Sequence, residues 1–153
     1  MIYLQIPNVP GESLQTGYQG QFLARSISWS GSNDYVTNSH NSFATSLSSV
    51  SISKLASISS PSLMLRMANT RDLGTVVITV GLLDQNHVIP LQIYSLSDAV
   101  LTGYTQSWSG GNLVEDMTID FLRFTYQQFY LNNDGTRSPG ETHYWDVTTN
   151  LGG

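Results

Sequence analysis

The chain has 153 residues, with six basic and eleven acidic side chains that give a formal net charge of -5. Only 11% of its residues are charged, against roughly 25% in an average soluble protein, so the polar surface is mostly uncharged. Nucleic acid is therefore not expected as a partner, because it is bound by clustered lysines and arginines. Thiol catalysis, disulfides and thiolate zinc sites are excluded because cysteine is absent. The length predicts one domain over residues 1–153.

The N-terminal segment predicts a strand and no targeting signal. Residues 2–6 alternate around Tyr3 and Leu4 and end at Pro7, where a turn follows. No basic stretch precedes an apolar core there, and no later run is long enough to cross a bilayer. We therefore expect no membrane insertion and no cleaved signal peptide.

A strand, a long loop, a strand and a helix are predicted next. The first strand covers 21–30, and the loop covers 31–45, where residues that compete with ladder hydrogen bonds are frequent. A second strand is predicted over 47–54. A helix at about 60–70 follows, since Ser59 or Ser60 can cap it and Pro61 suits a first helical turn. This is the only helix that the sequence predicts.

Three long strands complete the predicted elements, over 75–83, 88–104 and 113–131. The apolar residues of the last strand change parity, which predicts a bulge or bend near 122–124. Turns at 84–86 and 109–111 suit hairpins. Many strands with a single helix and no alternation of strands and helices predict a mostly β protein, an antiparallel two-sheet barrel or sandwich.

No catalytic residue, cofactor or metal site is predicted, so the chain is not expected to be an enzyme. The histidines, His40, His87 and His143, lie in separate loop-like stretches without the spacing of zinc ligands. "NNDG" at 132–135 lacks the carboxylates of a calcium loop and predicts a hairpin turn. Glu115 points away from Asp116 and Asp120 in an alternating strand, so no pair of glycosidase carboxylates forms locally.

The aromatic residues leave two interpretations open. Trp29, Trp108, Trp145 and the eight tyrosines could form a face that stacks on sugars, which would make the protein a carbohydrate-binding β-sandwich. Aromatic residues also fill ordinary β cores. Composition alone does not decide between a binding face and a core.

A series of segments carries a family resemblance across nearly the whole chain. In order, these are "GES" at 11–13, "SISWSGS" at 26–32, "VSISK" at 50–54, "SSPSL" at 59–63, "LSDAVLTGYTQSWSGG" at 96–111, "EDMTIDFLRFTY" at 115–126, "NNDGT" at 132–136 and "YWDVTTN" at 144–150. Their order and spacing resemble the haemolysin-coregulated protein family, the inner-tube component of bacterial type VI secretion systems.

The resemblance implies a fold related to phage tail-tube proteins and a structural function. Protomers of this family close into hexameric rings that stack into a hollow tube, and a contracting sheath drives the tube with its tip protein out of the cell. Effectors can travel in the lumen, and the tube protein is itself released. The expected partners are thus further copies of this chain, the sheath and tip proteins, and secreted effectors. Localisation is expected in the bacterial cytoplasm during assembly and outside the cell after release.

The resemblance also assigns expected roles to single residues. It places the 31–45 loop where the family reaches toward neighbouring subunits, which implies assembly contacts through Tyr35, His40, Asn41 and Phe43. Trp29 and Trp145 are expected to be structural anchors, with Trp145 in a final strand over 144–149. Family members commonly carry charged residues after the strand lysine. Here Lys54 is followed by no acid or second base before the helix, so an ion pair at that edge is not expected.

The tail-tube protein of a phage or of another contractile injection machine stays open as an alternative. It would share the architecture and carry different cargo. Neighbouring genes for a sheath, a baseplate and an ATPase distinguish the two.

Overall fold

The structure, a computed structural model, describes residues 1–33 and 45–153. The described strands are β1 (Ile2–Gln5), β2 (Phe22–Ser28), β3 (Gly31–Asn33), β4 (Thr45–Leu47), β5 (Val50–Leu55), β6 (Asp72–Asp84), β7 (His87–Ser109), β8 (Asn112–Asp120), β9 (Arg123–Leu131), β10 (Arg137–Asp146) and β11 (Leu151–Gly152). The helix described, α1, spans Ser60–Ala68. The chain is therefore mostly β, as the sequence predicts.

Six strands close into an antiparallel barrel. Neighbouring strands pair in the order β7-β6-β1-β2-β5-β8, and β8 pairs back with β7. Three further strands, β9, β10 and β11, extend the sheet outward from β7. The short strands β3 and β4 pair only with each other, as a separate hairpin. The predicted antiparallel barrel with one helix is confirmed.

The 23-residue strand β7 belongs to both the barrel and its extension. Residues 92–97 of β7 pair with β9, and residues 100–109 pair with β8. Tight turns connect it to both hairpin partners, with positive φ at Gln85 and Asn86 before β7 and at Gly110 and Gly111 after it. Such pairs of left-handed residues match the twist of two-residue hairpins, and both predicted hairpin turns are confirmed.

Apolar side chains at alternate positions of the strands fill the barrel interior. Val50 and Ile52 of β5 face inward with Met117 and Ile119 of β8, and all four are buried. Helix α1 packs against β7 and adds Leu63 to the same core. The helix begins with Pro61 in its first turn and ends where Asn69 N donates to Leu65 O. The core therefore joins the barrel and the helix into one unit.

Two predicted strands differ from the structure. The predicted strand 113–131 is two strands, β8 and β9, separated at Phe121 and Leu122, because the chain leaves the barrel there and continues along β7 on the extension. The predicted final strand 144–149 is wrong: β10 ends at Asp146, and a turn and β11 follow. Asp146 ends the strand because its carboxylate accepts hydrogen bonds from Thr148 N and Thr149 N, which forms a turn.

The predicted loop 31–45 is also corrected at its ends. Its first three residues form β3 and its last residue opens β4, where Gly31 pairs with Leu47 and Asn33 with Thr45. No helix of the described ranges is long and apolar enough to cross a membrane.

Candidate functional site

The four residues expected to make assembly contacts, Tyr35, His40, Asn41 and Phe43, lie outside the described residues. Their role stays a prediction. The structure describes the hairpin β3–β4 on either side of them, and Ser48 N donates to Ser30 O at its base.

Trp29 lies at the end of β2 against an aromatic cluster. Its ring centroid is 4.8 Å from that of Phe124 and 6.4 Å from that of Tyr94, and Tyr94 stacks on Tyr126 at 4.8 Å. The side chain is 38% exposed, so it covers the cluster from outside. Its expected role as an anchor is compatible with this place and stays a prediction.

Trp145 lies near the end of β10 and is half-buried. It pairs with Phe124 of β9 on one side and with Gly152 of β11 on the other. A Cβ on Gly152 would come within 2.8 Å of the Trp145 ring, so only glycine lets the backbone approach this closely. The C-terminal strand therefore packs on the Trp145 ring.

A buried ion pair joins β5 to β8. Lys54 and Glu115 are cross-strand partners, Lys54 Nζ is 2.7 Å from Glu115 Oε2, and both side chains are fully buried. The sequence predicts no ion pair at the edge before the helix, and it does not predict this pair inside the barrel. Its acid comes from β8, 61 positions further along the chain, and the segment before the helix does not supply it.

The remaining polar atoms of this pair also have partners. Lys54 Nζ donates to Leu55 O at 2.9 Å and to Ser57 Oγ at 3.4 Å, and lies 4.8 Å from the centre of the Phe22 ring. Glu115 Oε1 accepts from Gln106 Nε2 at 2.9 Å and from the Tyr104 hydroxyl. A buried ion pair with this many hydrogen bonds holds a single arrangement.

The network sets the protonation of its members. Burial by itself raises the pKa of Glu115, but hydrogen bonds from Lys54, Ser60, Tyr104 and Gln106 outweigh burial and hold that pKa below its ordinary value. Burial, followed by the hydrogen bond to Glu115, raises the pKa of Tyr104 to about 12. At neutral pH the cluster therefore holds a carboxylate and a neutral phenol. Both charged side chains of the cluster are fully buried.

Sequence reasoning missed this pair, although a signal was present. Lys54 shares the parity of the apolar residues Val50 and Ile52, and Glu115 shares that of Met117 and Ile119. A charged residue at an inward position of a strand needs a partner of opposite charge. Pairing these two required the β5–β8 register, which spacing alone does not give.

A face rich in hydroxyl groups covers the opposite side of the same strands. Ser28 pairs with Ser51, Ser26 with Ser53, and Ser51 with Thr118 across β2, β5 and β8. Thr105 of β7 and Asp116 of β8 extend it. These side chains line a shallow groove on the outside of the barrel. The carboxylate of Asp116 is the one charge among the residues that line it.

The described acids and histidines do not gather into a group that could hold a metal ion. No group of three or more histidine, aspartate or glutamate residues within 1–33 and 45–153 could hold a metal ion. Glu115 is buried, whereas Asp116 and Asp120 are exposed, as the alternation predicts. His87 and His143 are exposed on strands β7 and β10, not in the loops predicted for them, and His143 lies 3.5 Å from Glu141. His40 lies outside the described ranges.

The comparisons with known proteins agree with this architecture. Residues 3–130 match the family described as "Type VI secretion system effector, Hcp". No curated protein matches the sequence.

Solved structures of similar fold cover almost the entire chain. A structure described as a type six secretion system protein superposes with a TM-score of 0.89 at 16% identity, covering 99% of this chain and 98% of the other. Hcp1 from Salmonella typhimurium gives 0.79 at 16% identity, covering 99% and 97%. A type VI secretion system effector from Yersinia pestis gives 0.73 at 14% identity, covering 96% and 100%. These likenesses show a shared fold.

Proposed function

Because the chain belongs to the Hcp family of type VI secretion systems, whose members are tube proteins, we propose that it forms hexameric rings that stack into a hollow tube. The observation that carries the proposal is the match of the family over residues 3–130 on a barrel that superposes along its full length. The tube is driven out of the cell by a contracting sheath with a tip protein, and the chain is itself released without enzymatic activity. No cofactor takes part.

The hydroxyl face defined above is the surface that we assign to the lumen. In a ring, equivalent residues of neighbouring copies face one another across the channel, so charged side chains there would repel each other. The serines and threonines that make up most of this face avoid that repulsion, Asp116 being its one charged residue, and their hydroxyl groups offer hydrogen bonds to many different cargoes. The groove between Ser28, Ser51 and Thr118 is open to solvent in the single chain, which supports this assignment.

Electron microscopy of the purified protein tests the ring. We expect rings, alone or stacked, at high protein concentration. A strictly monomeric protein in sedimentation and in micrographs, with no tubes beside its sheath, contradicts the proposal.

Effector release tests the assignment of the lumen. Ser51→Arg places a cation on the hydroxyl face, and rings should still form while release of a lumen-borne effector falls at least tenfold. Thr149→Arg, at an exposed position that is not among the residues lining the groove on this face, is the matched control and should leave release unchanged. Equal release from both variants would show that the face is not the lumen.

A further inference from the structure

Two separate apolar patches remain exposed on the protomer. The helix patch comprises Ile58, Pro61, Met64, Leu65 and Trp108. The turn patch comprises Leu14, Leu82, Leu83, Tyr130 and Leu131, and because consecutive strand residues point to opposite faces, it wraps around the end of the β6–β7 hairpin. Large apolar side chains exposed in groups mark interaction surfaces, and exposed tryptophan and tyrosine are frequent at the centres of such surfaces.

The helix patch is continuous across α1 and the β7–β8 hairpin. Pro61 and Met64 line one pocket with Tyr104 and Gln106. Trp108 is two residues beyond Gln106 on the same face of β7 and is 75% exposed. Ala56 N donates to Leu113 O, the residue opposite Trp108, so the segment that carries Ile58 lies beside that pair.

The turn patch is assembled around the β6–β7 turn. Gln15 Nε2 donates to Asn86 O, which brings the loop with Leu14 to this turn. Arg137 donates to Pro90 O and pairs with Leu131, which brings the end of β9 beside the start of β7. The two patches thus lie at the two ends of the 23-residue β7, far apart on one protomer.

Charge distinguishes the rims of the two patches. Residues 55–65 and 105–114 contain no charged side chain, and the first charges after α1 begins are Arg66 and Arg71, followed by Asp72, whose Oδ1 accepts from Gly74 N. Neither arginine forms an ion pair with a described residue. Three acids lie close to turn-patch residues along the chain: Glu12 is two positions from Leu14, Asp84 follows Leu83, and Asp134 is three positions after Leu131. Two cations lie near the turn patch, and both have partners within the protomer: Arg137 lies over the Phe129 ring at 4.0 Å and donates to Pro90 O, and the Met1 ammonium donates to Gly81 O at 2.9 Å.

We propose that the helix patch of one protomer docks on the turn patch of a second copy of this chain. The apolar centres match in character, and the cationic rim of one faces the anionic rim of the other, an arrangement that sets partner and orientation. Two different patches on one protomer make a heterologous contact, which closes into a ring when the rotation permits. The closure of this contact into a ring rests on the proposed function. The pairing of the helix patch with the turn patch does not depend on it.

Cysteine cross-linking tests which surfaces meet, and the chain contains no cysteine of its own. The double variant Leu65→Cys with Leu83→Cys should give a ladder of covalent multimers on oxidation, ending at the ring size. Leu65→Cys with Thr149→Cys, where position 149 is exposed outside both patches, is the matched control and should give no ladder. Rings in micrographs with no ladder above the control would overturn the inference and leave the proposed function intact.

A charge swap tests the rims without disturbing the core. One variant carries Arg66→Glu and Arg71→Glu, and the other carries Asp84→Lys and Asp134→Lys. Each alone brings like charges together and should associate at least tenfold more weakly than the natural chain. Their mixture restores both contacts in an alternating ring and should assemble. A mixture that assembles no better than either variant overturns the pairing, whereas a natural chain that forms no rings overturns the proposed function.

Discussion

Lys54 on β5 and Glu115 on β8 face each other inside the barrel, with Nζ and Oε2 2.7 Å apart and neither side chain exposed to solvent. Lys54 lies near the end of β5, the barrel strand that leads to α1. Tyr104 donates a hydrogen bond to Glu115, and its hydroxyl also lies 3.5 Å from Ser60 O of the helix. This one ion pair thus connects the barrel wall to the helix.

Removing one member of the pair should be strongly destabilising. Glu115→Gln leaves the Lys54 ammonium buried without a counter-charge, and we expect a loss of about 3–5 kcal/mol in the free energy of unfolding. Asp116→Asn, at the adjacent exposed position, should change it by less than about 0.5 kcal/mol. Urea denaturation measures both.

The double replacement separates the charge from the packing. Lys54→Met with Glu115→Leu removes both charges and should recover most of the loss seen in Glu115→Gln, because apolar residues of similar volume can replace a buried ion pair. If the double variant is as unstable as the single one, packing and not the uncompensated charge is responsible.

Stability should fall at acid pH because the pKa of Glu115 is lower in the folded state. Its contribution is present above the unfolded pKa of about 4.3 and is lost as pH falls through the lower folded pKa. The free energy of unfolding should therefore decline below pH of about 4, and less so in the Lys54→Met, Glu115→Leu variant. Hydrogen bonds from Thr136 and Thr148 also lower the pKa of Asp134 and Asp146, respectively, so these two carboxylates add to the acid sensitivity. Asp134→Asn and Asp146→Asn are therefore introduced into both the natural chain and the double variant before the two are compared. An identical slope in both would assign the acid sensitivity to other carboxylates.

The half-buried Trp145 and the exposed Trp108 should differ in how much they contribute to the free energy of unfolding. Trp145→Ala should cost about 2 kcal/mol, below the roughly 3–5 kcal/mol of a fully buried aromatic, because the ring is only half-buried between β9 and β11. Trp108→Ala should leave protomer stability nearly unchanged, since this ring is 75% exposed. Thermal unfolding of both variants below their association range gives the comparison. Equal losses would mean that burial does not govern the effect.

Gly11 lies where two backbone segments approach each other closely. A Cβ at Gly11 would lie 2.3 Å from the carbonyl carbon of Gln21 and 2.4 Å from Phe22 N, both backbone atoms that cannot rotate away. Gly11→Ala should therefore cost about 1–3 kcal/mol through overpacking. Gly111→Ala, with open space but a φ of +84°, should cost only about 1 kcal/mol of backbone strain. A neutral Gly11→Ala in denaturation would show that the segment 11–21 shifts freely.

The sequence predicts the barrel where alternation and turn residues agree. Strands β5 and β6 and the turns around Asn86 and Gly110 were predictable because inward apolar parity and left-handed residues coincide. The change of parity predicted a bend near 122–124, but not that the strand ends there, since Phe121 and Leu122 are both apolar and give no turn signal. β10 was missed in its first half because Pro139 and Gly140 are typical of turns, whereas here they occupy a bulge in a strand with one open edge.

The site was predictable only in part, for a different reason. Alternation correctly separates Glu115 from Asp116 and Asp120. The Lys54–Glu115 pair and the two apolar patches each depend on contacts between residues tens of positions apart, and spacing along the chain carries no information about such contacts.

Strand β7 has a consequence for how the molecule unfolds. Because residues 92–96 of β7 pair with β9 on one edge and with β6 on the other, melting of the extension would leave one edge of β7 unpaired and would expose the Tyr94 ring that packs on Phe124. The chain should then behave as a single cooperative unit, with fluorescence and circular dichroism reporting coincident transitions. Its closing contacts, such as β1 with β6, join residues more than seventy positions apart, so chain collapse should be followed by comparatively slow barrel closure.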